Sequence, residues 1–206
     1  LQERKNVMIF AAGGTTSWFL PKLLKLYNDA FNKQPNHAYE INIVLIDADI
    51  VEAKNIIRQN FISDDIGRNK AEVLSERYKE LYPNISVSFI PKYATTTSYD
   101  KKYLPNNEYD KEIFVNVDNL NLSTFNIINL VDNEGFKKKL DFSIKRQITP
   151  YLGGHYFSAG VNLFNGQVYY SPLNEHSNGY VNDHQDLLEI FDEVSVHTCA
   201  DTDANG

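Results

Sequence analysis

Asn55, Arg58 and Gln59 lie in the stretch NIIRQNF, a few residues past an apolar run, INIVLIDADIV, that contains two aspartates near its end. A buried strand and its exit turn have little structural use for two amides and a guanidinium so close together. Phosphate chemistry has a use for each. Arg58 presents a planar fork that matches phosphate oxygens, and Asn55 and Gln59 can donate to phosphate or orient the arginine. Lys70 can add a point charge, although a lysine at the start of a helix is commonplace. Gly13 and Gly14 follow the first apolar run. They form either a plain strand-to-helix turn or a place where backbone approaches a phosphate beneath a helix N-terminus. Thr16 beside them can offer its hydroxyl to a phosphate. Asp47, at the end of the second run, either caps the next turn or accepts the hydroxyls of a ribose. Its separation from the glycines exceeds the roughly 20 residues usual in dinucleotide sites, because a loop follows the first helix. Asp118, in FVNVDN, can hold Mg²⁺ through oxygen, cap the following helix, or do both.

These residues need a scaffold, and hydrophobic patterning supplies one. NVMIF reads as a buried strand. In the segment that follows, Leu20, Leu23, Leu24, Tyr27, Ala30 and Phe31 recur at helical spacing. Pro21 is expected in the first turn of that helix, where its missing N–H has no intrahelical partner in any case. Residues 41–46 form a continuous apolar run, as in a strand buried on both faces of a parallel sheet. Ala71, Leu74, Tyr78 and Leu81 mark a second helix stopped at Pro83. ISVSFIP alternates like a strand, the polar stretch from Lys92 to Asp110 reads as a long loop, and EIFVNV reads as a buried strand. Residues 118–140 read as helical with weak periodicity. VNLFNGQVYYS predicts a hairpin with a two-residue turn at Asn165-Gly166, and DHQDLLEIFDEV a short helix. The fold class is therefore α/β: a Rossmann-like, doubly wound, mostly parallel sheet with antiparallel C-terminal strands.

The 206 residues suit one such domain with a full core. We assign residues 1–198 to it and read 199–206 as a loop. The chain opens at Leu1 and stops in CADTDANG, so it is expected to be part of a longer protein. A net charge of −7 argues against general nucleic-acid or membrane-surface binding, and no apolar stretch approaches a membrane span. Cys199 is the single cysteine, which excludes an internal disulfide and a multi-cysteine zinc cage and fits a cytoplasmic location. His155, His176 and His184 have no metal-ligand spacing.

Taken in order, GG, DADIVEAKNIIRQNF, DIGRNKAEVL and VDN resemble the adenylyltransferase domain of the ThiF/MoeB and ubiquitin-activating superfamily. That pattern runs Gly-x-Gly-Gly-x-Gly, Asp-x-Asp-x-Val-x-x-x-Asn-x-x-Arg-Gln, Gly-x-x-Lys and Thr-Asp-Asn. The second block is the specific one. The resemblance implies ATP and Mg²⁺ as ligands, with Gly13, Gly14, Thr16, Asp47, Asp49, Asn55, Arg58, Gln59 and Lys70 around the nucleotide. Arg58, Lys70 and Asp118 would be catalytic, with Asp118 on the metal. It implies adenylation of the C-terminal carboxylate of a ubiquitin-like or sulfur-carrier protein, and a homodimer. NGQVYYS resembles the strand that lies near the carrier tail in that family.

The chain departs from the pattern where Ala11 and Thr16 replace glycines and Val117 replaces threonine. An alanine at position 11 fits if its φ is negative, whereas the β-branched Thr16 tightens the loop. Many relatives carry a downstream cysteine that accepts the activated carrier. Cys199 is a candidate for that thioester, although nearby acids would raise its pKa. Two other functions fit less of the sequence. A non-catalytic adenylation-like scaffold has no need of Arg58, Lys70 and Asp118, and a nicotinamide-dependent dehydrogenase leaves Arg58-Gln59 unexplained.

Overall fold

The computed structural model describes residues 3–33, 39–96, 114–120, 125–133, 137, 139–140, 154–161 and 166–173. Cys199, the helix expected near residue 190 and the 199–206 segment lie outside the described residues. Strand β1 (Glu3–Phe10) leads through helix α1 (Gly14–Lys33) to β2 (Tyr39–Ile46). A short helix α2 (Ala53–Ile56) and a 3-10 turn (Ser63–Asp65) precede α3 (Lys70–Leu81), which returns the chain to β3 (Ile85–Ile90). Then come β4 (Tyr93–Thr95), β5 (Phe114–Asn116), a 3-10 turn (Val117–Asn119), β6 (Phe125–Asn129), β7 (Gly154–Val161) and β8 (Gly166–Leu173).

The main sheet has the order β3-β2-β1-β6-β7-β8. It is parallel from β3 to β7, and β8 pairs antiparallel with β7. The chain winds outward from β1 in one direction through α1 and α3, while β6 occupies the other side. The gap between β1 and β6 is thus the point where strand order reverses, and ligands in such sheets bind at the carboxyl ends of the strands there. The alternation of β1 explains why it must be central. Val7 and Ile9 pack with Leu20 and Leu24 of α1 and Ala71, Leu74 and Tyr78 of α3. Met8 and Phe10 face the other way, onto Val117, Ile127, Leu140 and Tyr156. A strand buried on both faces has no polar side, hence the unbroken run VMIF.

Four expectations are corrected. Residues 118–140 are not one helix: Phe125–Asn129 forms β6, wedged between β1 and β7 with Ile127 buried on one face and Ile128 on the other. The strand within EIFVNV is β5, and it pairs with β4 in a separate two-stranded parallel sheet rather than joining the main one. β4 itself lies inside the stretch expected to be loop. The β7–β8 hairpin is antiparallel as expected, but Gly166 pairs with Val161 inside the ladder, so a two-residue turn at Asn165-Gly166 is excluded. Among the described residues, no helix is long and apolar enough to cross a membrane.

Candidate functional site

A cavity of about 600 Å³ opens at the carboxyl ends of β1, β2 and β6. Its wall gathers most of the residues singled out by their chemistry: Gly13, Gly14, Thr16, Asp47, Asp49, Asn55, Arg58, Gln59 and Lys70. Stretches separated by more than 30 residues in sequence meet there because parallel strands deliver their exit turns to one edge.

The first turn after β1 is tighter than its sequence promises. Ala11 takes φ 76°, a left-handed conformation that a Cβ disfavours. The condition that its φ be negative is therefore not met. Three bonds hold the turn. The Ala11 N–H donates to the Ile46 carbonyl at 2.9 Å, and the Ala12 N–H donates to Asp47 Oδ2 at 2.6 Å. The buried Thr16 hydroxyl donates to the Ala11 carbonyl at 2.6 Å. Thr16 thus uses its proton on the loop itself. A Cβ on Gly13 would meet no protein atom within 4 Å, so packing does not demand glycine there. Close approach of a ligand to the backbone would. α1 begins at Gly14 and points its free N–H groups into the same space.

Asp47 is buried at the end of β2. Besides Ala12, it accepts the Asp49 N–H on Oδ1 at 2.7 Å. Burial raises its pKa above the ordinary carboxylate value, and the charge of Asp49 adds to this. The two backbone bonds and Lys70 pull the other way. A carboxylate has about four acceptor positions, so two remain for a ligand. Asn69, which the sequence reading passed over, fixes this corner. Its amide donates to the carbonyls of Asp47 at 2.9 Å and Asp49 at 3.2 Å, while its Oδ1 caps α3 by accepting the Glu72 N–H. Lys70 therefore starts α3 beside β2, and its buried Nζ pairs with Asp49 Oδ2 at 2.9 Å. Tyr93, from β4, donates to the other Asp49 oxygen at 3.0 Å and lines the cavity rim.

On the opposite wall, buried Asn55 closes the capping box of α2 by accepting the Glu52 N–H at 2.8 Å. Gln59 is buried, and its Oε1 has no partner among the described residues. Arg58 is exposed and lines the cavity. Among the described residues no carboxylate pairs with its guanidinium, whereas Lys54 is tied to Glu52 and Lys70 to Asp49.

One predicted residue does not join this group. Asp118 sits in the 3-10 turn after β5, where its N–H donates to Asn116 Oδ1, and it is not among the residues lining the cavity. The acid that β6 delivers to the wall is Asp132. It follows a turn held by buried Asn129, whose Oδ1 accepts the Val131 N–H at 3.2 Å and whose Nδ2 donates to Tyr156 at 3.1 Å. Val-Asp-Asn occurs twice in the chain, at 117–119 and at 131–133. Only the second follows a strand of the main sheet, so the signal for Asp132 is legible once β6 is recognised.

The profile of the ThiF family matches residues 6–200. The chain belongs to the ThiF family. This ThiF-family chain also resembles solved structures at low identity, which speaks to fold alone. E. coli MccB crystallised with succinimide is 22% identical, with a TM-score of 0.52 over 82% of this chain and 40% of that one. Selenomethionine PaaA is 19% identical, with a TM-score of 0.50 over 80% of this chain and 40% of that one. The chain spans about two fifths of the length of these two proteins. No curated protein sequence matches it.

Proposed function

We propose that this ThiF-family chain binds ATP in the switch-point cavity and adenylates the C-terminal carboxylate of a protein substrate, a ubiquitin-like or sulfur-carrier protein. The observation that carries the reading is the convergence on one cavity of an exposed arginine with no carboxylate partner among the described residues, a lysine and a helix N-terminus, beside a buried aspartate. Asp47 would accept ribose hydroxyls on its remaining lone pairs. The phosphates would run over Gly13 and the start of α1 toward Arg58, Gln59, Asn55 and Lys70. A substrate carboxylate oxygen attacks the α-phosphorus, the bond to the bridging oxygen of the β-phosphate breaks, and pyrophosphate leaves with an acyl adenylate formed. Arg58 and Lys70 stabilise the charge that builds on the phosphate oxygens.

The donor chemistry fits Mg²⁺. Four carboxylates (Asp47, Asp49, Glu52, Asp132) face three cations (Lys54, Arg58, Lys70) around the cavity, so a triphosphate needs further positive charge. Among the described residues no three His, Cys, Asp or Glu side chains form a metal cage of their own. A Mg²⁺ here would rest on one carboxylate, nucleotide oxygens and water, and would supply charge neutralisation when bound. We assign that carboxylate to Asp132 in place of Asp118, and we propose a homodimer by analogy with the superfamily.

ATP–pyrophosphate exchange with candidate carriers tests the reading. Arg58→Ala and Asp132→Ala should each lower exchange by on the order of 100-fold or more. Asp118→Ala and Cys199→Ala should leave it near the original rate, since a cysteine acceptor acts only after the adenylate exists. Exchange that survives Arg58→Ala misplaces the phosphate site, and loss in Asp118→Ala with retention in Asp132→Ala reverses the metal assignment. A second reading, a non-catalytic scaffold, is favoured by the strained, non-glycine turn at Ala11. It predicts no heat of binding with ATP·Mg²⁺ by calorimetry.

A further inference from the structure

We infer that Asn60 is a positioning residue of the phosphate site: it straps the Arg58–Gln59 turn to the first turn of α1 through a carbonyl that Pro21 leaves without a helical donor. The inference rests on the nucleotide reading above. α1 begins at Gly14, so Pro21 lies inside the helix rather than in its first turn. Proline has no N–H, and the Ser17 carbonyl, four residues back, loses its ladder partner. Leaving a buried acceptor unpaired is costly. Asn60 Nδ2 fills the position, donating to the Ser17 carbonyl at 3.2 Å, while the Asn60 N–H donates to Ser17 Oγ at 3.0 Å.

The same residue reaches α3. Its Nδ2 also donates to the Tyr78 hydroxyl at 3.2 Å, and its carbonyl accepts from Arg77 Nη1 at 2.7 Å. Asn60 therefore joins the helix whose N-terminus opens on the cavity to the helix that begins with Lys70. Immediately before it come Gln59 and Arg58. The Arg58 carbonyl accepts a second strap from α1, Trp18 Nε1 at 3.1 Å. Gln59 lies so near the helix start that a Cβ on Gly14 would touch its Cγ at 3.6 Å. A displacement of this turn along α1 would carry the Gln59 side chain and the Arg58 guanidinium away from the helix N-terminus that they must share with one set of phosphates.

The full chain and four variants separate positioning from mere stability, read by thermal melts and by calorimetric titration with ATP·Mg²⁺. Asn60→Ala should lower Tm and weaken ATP·Mg²⁺ about tenfold, the scale of a small misplacement of binding groups. Pro21→Ala, alone or added to Asn60→Ala, restores an N–H to the ladder. In the double variant Tm should recover while affinity stays low. Val87→Ala, a core truncation in β3, should lower Tm and change affinity by no more than about twofold. Affinity that returns together with Tm in the double variant shows that Asn60 only satisfies a carbonyl, and overturns the inference. Full affinity in Asn60→Ala overturns it too, as does an equal loss in Val87→Ala at equal Tm. If Asn60→Ala does not fold, the double variant carries the affinity measurement with the same two outcomes. Absence of binding by the unsubstituted chain overturns the nucleotide reading and this inference together, whereas binding that Asn60→Ala leaves intact overturns this inference alone.

Discussion

Asp47 shows how one side chain can hold a loop and keep room for a ligand. Its carboxylate takes the Ala12 and Asp49 N–H groups, and burial makes the charged form expensive. Because burial raises its folded pKa, its contribution to stability is largest when it is protonated. That contribution is present below the unfolded value, near 3.9, and is lost as pH rises through the raised folded value. Asp47→Asn has no such titration. The stability of the original protein relative to Asp47→Asn should therefore be greater near pH 4 than at pH 7, as measured by urea melts at both. A difference that grows toward neutral pH would mean that the hydrogen bonds outweigh burial.

At the scale of elements, the turn from β1 into α1 stores strain. A left-handed alanine costs about 1–2 kcal/mol, and glycine would remove that at an entropic cost of about 0.5–1 kcal/mol. Ala11→Gly should raise Tm by up to about 2–4 °C in a domain of this size. Thr16→Val, which deletes the bond to the Ala11 carbonyl, should lower it; a lowered Tm in Ala11→Gly would show that the turn is not strained. Sequence reading found the first half of the molecule well, because VMIF, INIVLI and the stripe through Ala71, Leu74 and Tyr78 each carry one period that packing then uses. It misjudged Phe125–Asn129, since five residues with two isoleucines carry no period, and only their place between β1 and β7 makes them a strand. The same misreading hides Asp132, which follows β6 and lines the cavity, whereas Asp118 follows β5 and does not. Pro21 was misjudged for a similar reason, because the side chain that compensates for it lies 39 positions away at Asn60.

The molecule as a whole brings together what no single element has. The sheet reverses at β1/β6, and the exit turns of β1, β2 and β6 meet there, which is why residues from 11 to 132 share one cavity. The charge census of that cavity has a kinetic meaning. A chain of net charge −7 presents to a polyanion a mouth with one more carboxylate than cations. Long-range forces then oppose encounter, and the attraction of Arg58 is felt only after arrival. If ATP is the ligand, its association rate should rise with added salt, as screening shortens the reach of the repulsion to about 8 Å at physiological ionic strength. Stopped-flow binding across a salt series measures this, and a rate that falls with salt would reveal a positive approach path. A nucleotide site built this way would gain nothing from electrostatic capture: it would select its ligand by how long it is kept rather than by how fast it is caught.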